Sequence, residues 1–237
     1  MESLDAVAKR LKLPLSPVQL AQLGFYGDRL LSERRAAGLT SLSNSELIAQ
    51  RHLIEPLVYL VALEAAGVIE SPAIDIGTGA GVPGLPLKIA RPLIDITLLE
   101  ANGKKVRFVN ELVQELRLDH ATVVHARAEE LGRDPAHRAA YRLAMARAVA
   151  PLRVLIELAL PLLTVGGYLG AIKGSRLPRE IREATHALEV LGGVIQAVES
   201  LPNPDSAITM SIVLVKKTRE TPDRYPRRPG IPGKRPL

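Results

Sequence analysis

Residues 75–84 read DIGTGAGVPG, and this stretch decides the fold. It overlaps the end of a short apolar run at 73–76, and four glycines fall within its ten residues. A buried strand followed by a glycine-rich turn and a helix places a ligand site at the carboxyl end of the strand. Glycine lets such a turn adopt left-handed conformations and lets a ligand approach the backbone. The stretch therefore predicts a Rossmann-like α/β fold with a ligand bound at this turn.

The chain after this turn alternates between short apolar runs and helical patterns. Helices are predicted at 84–90, 104–116, 151–163 and 178–191. Strands are predicted at 73–76, 95–100, 121–125, 143–146, 168–172, 194–198 and 208–215. This alternation is typical of a doubly wound, mostly parallel sheet. The last two strands are joined by SLPNPDS, which is too short for a helical crossover, so we expect that pair to be antiparallel.

The residues before the first strand show helical patterns and no strand pattern. Ser16 precedes a proline that suits a helix start, and Ser43 with Glu46 fits a capping box. Pro56 is expected to kink or restart the helix that contains it. We predict an N-terminal helical extension at 1–65, the α/β domain at 66–218 and a basic proline-rich tail at 219–237. The tail is expected to be irregular or extended.

Composition and charge exclude several classes of protein. The 237 residues include no cysteine, which removes disulfides, thiolate metal sites and cysteine nucleophiles and favours a cytoplasmic protein. Apolar runs fall short of the roughly 18 residues that span a bilayer, so we expect no membrane association. The net charge is +6, and residues 216–237 alone hold eight basic and two acidic residues. A neutral body with a cationic tail indicates a polyanionic partner.

Two interpretations of the glycine turn involve phosphate binding, and a third involves a ligand that has no phosphate. A P-loop needs Gly-Lys-Ser/Thr, which is absent here. A dinucleotide fingerprint fits Gly79, Gly81 and Gly84, with Glu100 at the usual distance beyond them. Two prolines in the turn and first helical residues remove N–H groups that a pyrophosphate would use, and Asp75 would repel it. These features weaken the dinucleotide interpretation. A nicotinamide-dependent oxidoreductase, which that interpretation implies, remains an alternative.

S-adenosylmethionine is the third ligand, and it has no phosphate. An acid before the glycines suits its positive sulfonium and ammonium groups, and the glycines leave room for its methionine portion. An acid ending the second strand can accept from both ribose hydroxyls, and residues after the third strand can contact adenine. A single acid after a strand can be a solvated turn residue. Acids after three successive strands are less readily explained in that way than one acid taken alone. The expected contacts are Asp75, Gly77, Gly79, Gly81, Glu100, Ala128 and Glu129.

The motifs DIGTGAGVPGLPL, LLEANGKKVRF, RAEEL, ARAVAPL and YPRRPGIPGKRPL resemble those of the glucose-inhibited-division protein B family. These are bacterial small-subunit ribosomal RNA guanine-N7 methyltransferases, and the resemblance covers nearly the whole chain. It implies a class I S-adenosylmethionine-dependent methyltransferase fold with a seven-stranded sheet, and 16S ribosomal RNA of the small ribosomal subunit as substrate. Members often have Asp-Ser where this chain has Glu55-Pro56. By resemblance, the cofactor contacts fall on Gly77, Val82, Glu100, Ala101, Asn102, Ala128, Glu129 and Arg147.

Arg147 is the residue that we expect to be catalytic. It ends the fourth strand, and its guanidinium can bind guanine O6 or a phosphate. An ion pair with Glu129 or Asp75 is the structural alternative. Lys173, just past the fifth strand, is expected either to contact RNA or to be a solvated strand-end lysine. His52 lies in an amphipathic helix, where a structural role is the commoner one.

Guanine N7 has a free lone pair, so its methylation requires alignment and no general base. The tail residues expected to bind RNA are Arg227, Arg228, Lys234 and Arg235. A non-catalytic RNA-binding assembly factor is the second alternative, since the basic tail alone fits it. Nothing in the sequence demands an oligomer, and we expect a monomer.

Overall fold

Seven β-strands form one sheet in the part of the chain that the computed structural model describes, residues 3–35, 38–42, 44–201 and 210–237. They are β1 (Ala73–Ile76), β2 (Ile96–Glu100), β3 (Ala121–His125), β4 (Tyr141–Arg147), β5 (Leu163–Lys173), β6 (Gly193–Leu201) and β7 (Met210–Lys217). Their order across the sheet is β3-β2-β1-β4-β5-β7-β6. Strand β7 is antiparallel to both of its neighbours, and the other adjacent pairs are parallel. The predicted mostly parallel sheet and its antiparallel final pair are confirmed.

The direction of the chain across the sheet reverses between β1 and β4. From β1 the chain moves outward through β2 to β3, and it then returns to pair β4 with the other side of β1. In open α/β sheets such a switch point leaves a crevice beyond the carboxyl ends of the strands, where ligands bind. The glycine turn that follows β1 lies at this crevice.

Apolar side chains of the strands alternate between the two faces of the sheet, as the two-residue period of a strand requires. Ile74 and Ile76 belong to one buried cluster, whereas Ala73 and Leu98 belong to the cluster on the other face. Helices cover both clusters, so the strands are buried on both sides. This explains why the strands read as nearly continuous apolar runs.

The described helices follow the predicted pattern with several differences in their bounds. They are α1 (Leu4–Arg10), α2 (Pro17–Glu33), α3 (Ser45–Ile48), a π-helical turn (Ala49–Ile54), α4 (Glu55–Ala65), α5 (Gly84–Ala90), α6 (Gly103–Glu115), α7 (Ala128–Leu131), α8 (Leu152–Ala159), α9 (Leu177–Glu183), α10 (Thr185–Leu191) and α11 (Ile231–Lys234). The helix predicted over 178–191 is two helices that meet at Ala184. The tail was predicted to be irregular, which is wrong for the four residues of α11. No helix among the described residues has the length and apolar character that crossing a membrane requires.

Two predicted helix starts have different outcomes. The helix start predicted at Ser16 is confirmed, and Ser16 also forms a capping box with Gln19 at the start of α2. Ser43 lies outside the described residues, and the Asn44 side chain caps α3 by accepting from the Glu46 N–H at 2.6 Å. At Pro56, the α-helix resumes after the π-helical turn, as the predicted restart requires.

Several side chains of helix α2 form hydrogen bonds with the α/β core. The Gln19 side chain donates to the carbonyls of Ile89 and Ala90 at 2.8 and 3.1 Å, at the end of α5. Tyr26 is fully buried, and its hydroxyl donates to the Ala80 carbonyl in the glycine turn at 2.9 Å. The N-terminal helices therefore support the turn directly. The division of the chain at 1–65, 66–218 and 219–237 stays a prediction.

Candidate functional site

The turn after β1 depends on left-handed glycines. Gly77 and Gly81 have φ values of +66° and +97°. A Cβ added to Gly81 would lie 2.3 Å from Cδ1 of Leu85, and one added to Gly77 would lie 3.0 Å from Cγ2 of Val149. A side chain at Gly81 is therefore disfavoured by backbone conformation and by space, and one at Gly77 by backbone conformation and by a tight contact with Val149. Gly79 also has a positive φ, +62°, but an added Cβ would meet only the Gly77 carbonyl oxygen at 3.8 Å.

Asp75 lies beneath this turn and holds it together. The side chain is fully buried, and Oδ2 accepts from the Thr78 hydroxyl at 2.6 Å and from the Gly84 N–H at 2.9 Å. Burial raises the pKa of Asp75 to about 6, and the two hydrogen bonds and the Arg147 charge act in the opposite direction. The sequence predicts a ligand contact for Asp75, but the structure places its carboxylate where it fixes the turn.

Glu100 joins the end of β2 to the glycine turn. Its Oε2 accepts from the Gly79 N–H at 2.9 Å, and its Oε1 accepts from the Asn102 N–H at 2.8 Å. Asn102 in turn caps α6, accepting from the Lys104 N–H at 3.0 Å. Both oxygens of Glu100 are thus oriented by backbone donors at the carboxyl edge of the sheet.

A cavity of about 230 Å³ lies above β1 and β2, and we call it the small cleft. Its floor includes the ends of both strands, and the residues that follow β3 form one wall. The structure thereby brings together five of the predicted cofactor contacts. Those five lining residues are Gly77, Glu100, Ala101, Ala128 and Glu129. Val82 is buried and is not among the described residues that line this cleft.

A second cavity, of about 620 Å³, adjoins the small cleft, and we call it the large cavity. Val149 and Ala150 line both spaces, so the two meet just beyond the end of β4. Four basic side chains line the large cavity, together with one histidine and two acids. They are Arg51, Arg147, Lys173, Arg176, His52, Glu55 and Glu180. The small cleft is lined by the acids Glu100 and Glu129 and by Arg127, and it opens beside the larger cationic cavity. The two spaces can therefore hold two ligands of different charge next to each other.

Arg147 lines the large cavity and is tied to the π-helical turn. Its Nη1 donates to the Arg51 carbonyl and lies 3.4 Å from Glu55 Oε2. Its ion-pair partner is thus Glu55, and the predicted alternative of Glu129 or Asp75 is wrong. Burial lowers the pKa of Arg147, and the Glu55 charge opposes that shift. The guanidinium is held in the wall of the large cavity by partners from the π-helical turn and α4.

The π-helical turn explains why a backbone carbonyl is available to Arg147. The Glu55 N–H bonds to the Gln50 carbonyl, five residues earlier. In the same register the Arg51 carbonyl would meet the nitrogen of Pro56, which has no hydrogen. The Arg147 guanidinium donates to that carbonyl in its place. Pro56 was the sequence signal for this site, although the sequence alone predicted only a helix restart.

His52 is buried in the same turn, with its Nδ1 3.4 Å from Nη2 of Arg147. Burial and the nearby charges of Arg147 and Arg51 lower its pKa to about 3. The imidazole is therefore neutral at physiological pH. Because Nδ1 faces an arginine donor, it acts as acceptor and the ring proton lies on Nε2.

Lys173 is not the solvated strand-end lysine that was one expectation for it, and its contact with RNA stays a prediction. Only 9% of it is exposed, and Nζ donates to the Ala150 carbonyl at 2.6 Å and to Glu180 Oε2 at 2.8 Å. Glu180 Oε2 also accepts from the Leu152 N–H at 2.8 Å. Burial lowers the pKa of Lys173, while the bond to Glu180 opposes that shift. Lys173 thus fixes the segment that separates the two cavities, and Glu180 is a partner that sequence reasoning missed.

The basic tail folds back onto the α/β body, and its four residues that were predicted to bind RNA divide into two groups. Arg227 forms a two-pronged ion pair with Glu157 Oε1 and Oε2, at 2.8 and 2.5 Å. Glu157 is fully buried, so the Arg227 guanidinium has an internal partner, and its contact with RNA stays a prediction. The other three, Arg228, Lys234 and Arg235, are exposed and stay predictions for RNA binding.

Comparisons with known proteins identify relatives of this chain. The family model described as rRNA small subunit methyltransferase G matches residues 19–209. A protein named ribosomal RNA small subunit methyltransferase G from Chloroflexus aggregans is 43% identical over 225 residues, which cover 95% of this chain and 93% of that protein. The protein of the same name from Alkaliphilus metalliredigens is 41% identical over 221 residues, covering 92% and 91%.

A solved structure of a putative O-methyltransferase from Klebsiella pneumoniae superposes with a TM-score of 0.62. It is 16% identical, and the match covers 91% of this chain and 96% of that one. At that identity the likeness shows the fold alone, which is the class I methyltransferase fold with an added N-terminal helical segment. On the family match and the sequence identity together, the chain belongs to the rRNA small subunit methyltransferase G family.

Proposed function

We propose that this chain uses S-adenosylmethionine to methylate N7 of a specific guanine in 16S ribosomal RNA of the small ribosomal subunit. We further propose that it acts as a cytoplasmic monomer. The observation that carries the proposal is the junction at Val149 and Ala150, where an acid-lined cleft meets a cationic cavity. Membership of an rRNA methyltransferase family supports the class of substrate.

The small cleft fits S-adenosylmethionine better than it fits a dinucleotide. The backbone donors of the glycine turn are engaged internally, with the Gly79 N–H on Glu100 and the Gly84 N–H on Asp75. Gly81 and Val82 both donate to the Thr78 carbonyl at 2.9 Å. A pyrophosphate would therefore find few free N–H groups and two nearby acids. This argues against the nicotinamide-dependent oxidoreductase.

Different residues would contact the methionine, ribose and adenine portions of the cofactor. Gly77 and Gly79 leave the backbone open to the methionine portion, Glu100 can accept from ribose hydroxyls, and Ala128 with Glu129 can contact adenine. Ala101 and Asn102 follow Glu100 along the same edge, while Asp75, Gly81 and Val82 hold the turn from below. Bound here, S-adenosylmethionine supplies an electrophilic methyl group carried on a positively charged sulfur.

The large cavity would orient the guanine. The methylation of N7 requires no general base. N7 carries a lone pair, so the base can react without losing a proton, and alignment provides most of the acceleration. Arg147 can donate to guanine O6 or to a phosphate from its position in the wall of the large cavity. His52 is neutral and offers the Nε2 proton as a donor. We propose Arg147 as the catalytic residue and His52 as part of the same wall.

RNA would reach this cavity across exposed cations. Arg176 lines the large cavity and is exposed, and Arg51 lies beside it, one-third exposed and paired with Glu55 at 2.7 Å. The exposed tail residues Arg228, Lys234 and Arg235 add positive charge near the small cleft. Binding through such residues weakens steeply with salt.

The test is methylation of 16S ribosomal RNA by the purified chain, with naked RNA and assembled small subunits compared as substrates. Borohydride reduction and aniline cleavage followed by primer extension would locate an N7-methylated guanine. A stop that requires both protein and S-adenosylmethionine is the expected result. Its absence on both substrates, with tight S-adenosylhomocysteine binding retained, would favour the non-catalytic RNA-binding alternative.

A further inference from the structure

The C-terminal strap, residues 221–230, lies against the helices that form the outer wall of the small cleft. Arg138 donates to the carbonyls of Thr221 and Tyr225 at 2.8 and 2.7 Å, and Arg133 Nε donates to the Pro226 carbonyl at 2.7 Å. The Tyr225 ring belongs to the buried apolar cluster that includes residues of α7 and α8. The strap is therefore attached along its length to the methyltransferase body.

Two contacts lead from the strap to the lining of the small cleft. The Gly230 N–H donates to Glu129 Oε1 at 2.9 Å, and Glu129 lines the cleft. The Arg227 backbone N–H and guanidinium both bind Glu157, whose neighbour in α8, Leu158, also lines the cleft. The strap thus reaches the cleft through two acids without lining the cleft itself.

Both acids depend on the strap for their partners. Glu157 is fully buried and Glu129 is 8% exposed, and a buried carboxylate requires hydrogen bonds or a cation. The bond from Gly230 fixes the rotation of the Glu129 carboxylate and leaves Oε2 for a ligand. A strap detached from the body would leave both carboxylates without these partners.

We propose that the strap positions Glu129 for the cofactor, so that Gly230 and Arg227 are positioning residues of the cofactor site. The tail was expected to serve RNA, but in this proposal only its exposed cations do so. The inference rests on the proposed function, because it assigns the adenosine of the cofactor to the small cleft. By linkage, a ligand in that cleft strengthens the docking of the strap by the same factor.

Two glycines of the tail provide a matched pair of variants. Gly230 has a φ of +81°, and an added Cβ would have nothing within 4 Å; Gly233 is equally open and is not among the positive-φ residues. Gly230→Ala therefore strains the backbone that aims the N–H at Glu129, and Gly233→Ala does not. We expect the Kd for S-adenosylhomocysteine, measured by calorimetry, to rise about tenfold for Gly230→Ala and to be unchanged for Gly233→Ala. Equal Kd values would overturn the proposal.

Two neighbouring arginines provide a second pair that keeps the net charge. Arg227→Lys loses the two-pronged bond to Glu157, whereas Arg228→Lys changes an exposed residue. We expect only Arg227→Lys to raise the Kd for S-adenosylhomocysteine, with its own KM for RNA unchanged. A higher KM for RNA with unchanged S-adenosylhomocysteine binding would show that Arg227 serves RNA and would contradict the proposal.

Hydrogen exchange on the full-length chain gives a readout that a purely structural role would not move. S-adenosylhomocysteine should slow exchange of the Gly230 amide and leave the edge strand β6 unchanged. Unchanged exchange at Gly230 would count against the proposal. If wild-type protein binds S-adenosylhomocysteine and Gly230→Ala binds it equally well, only this inference fails. If the wild type does not bind it, the proposed function fails as well.

Discussion

The guanidinium of Arg147 donates to the backbone carbonyl of Arg51, across the junction between the end of β4 and the π-helical turn. That carbonyl is available because Pro56 cannot donate to it. The same guanidinium lies within 3.4 Å of buried Glu55 and of His52 Nδ1. A residue held by three such groups has a fixed orientation, and Arg147 is fixed in the wall of the large cavity.

We expect Arg147→Lys to reduce methylation while leaving cofactor binding nearly unchanged. Lysine keeps the charge but cannot contact the Arg51 carbonyl, Glu55 and a substrate together. The expected loss in kcat/KM for ribosomal RNA is on the order of 100-fold, with the Kd for S-adenosylhomocysteine within about threefold of wild type. Arg142→Lys, at the exposed start of the same strand, is the control and should retain activity. A comparable loss in cofactor affinity for Arg147→Lys would instead show that Arg147 acts through the small cleft.

Glu100→Gln is expected to weaken cofactor binding. Both oxygens of Glu100 accept from backbone N–H groups, so an amide nitrogen would face one of these donors and leave it unpaired. We expect the Kd for S-adenosylhomocysteine to rise by roughly 10- to 100-fold, measured by calorimetry. Glu199→Gln, an exposed strand residue on β6, is the matched control. An unchanged Kd for Glu100→Gln would mean that neither the turn nor the ligand depends on this carboxylate.

Asp75 should make the stability of the fold depend on pH. Its folded pKa of about 6 exceeds the ordinary value of 3.8, so the folded state binds more protons between these values. The contribution of Asp75 to stability is therefore fully present below the unfolded pKa and is lost as pH rises through about 6. Asparagine mimics the protonated form and can keep Oδ as acceptor for both Thr78 and Gly84.

The measurement is urea unfolding of wild type and Asp75→Asn at two pH values. The free energy of unfolding of the variant minus that of wild type should be about 2 kcal/mol larger near pH 7.5 than near pH 4.5. The variant thus gains stability relative to wild type as the pH rises. An equal difference in the free energy of unfolding between the two proteins at both pH values would contradict the raised pKa of Asp75. Because the comparison is between proteins, other groups that titrate in this range cancel.

Local patterns in the sequence were sufficient for the sheet and for the acid edge of the small cleft. Glu100 and Asn102 were identified because each ends or begins an element, and such positions follow from apolar periodicity and capping chemistry. The glycine turn was identified because four glycines follow a buried strand within ten residues. These features depend on residues within a few positions of one another.

The pairings of buried charges could not be predicted in this way. Arg147 with Glu55, Lys173 with Glu180 and Arg227 with Glu157 each join distant parts of the chain with no repeating spacing. In the sequence each cation is indistinguishable from a solvated one, and burial is decided only when helices pack on the sheet. For that reason Lys173 and Arg227 were assigned to RNA, although the structure gives each an internal acid.

Arg176 and Lys173 give opposite predictions for the salt dependence of RNA binding. Arg176 is exposed at the large cavity, so we expect Arg176→Gln to reduce the slope of log K against log salt by about 0.7 to 0.9. Lys173→Gln should leave that slope unchanged, because its Nζ is bound to Ala150 and Glu180 and contacts no phosphate. It should instead lower kcat, since the segment between the cavities loses its tether. Fluorescence anisotropy of a labelled rRNA fragment over a salt series measures the slopes, and a smaller slope for Lys173→Gln would restore the RNA contact first predicted for that residue.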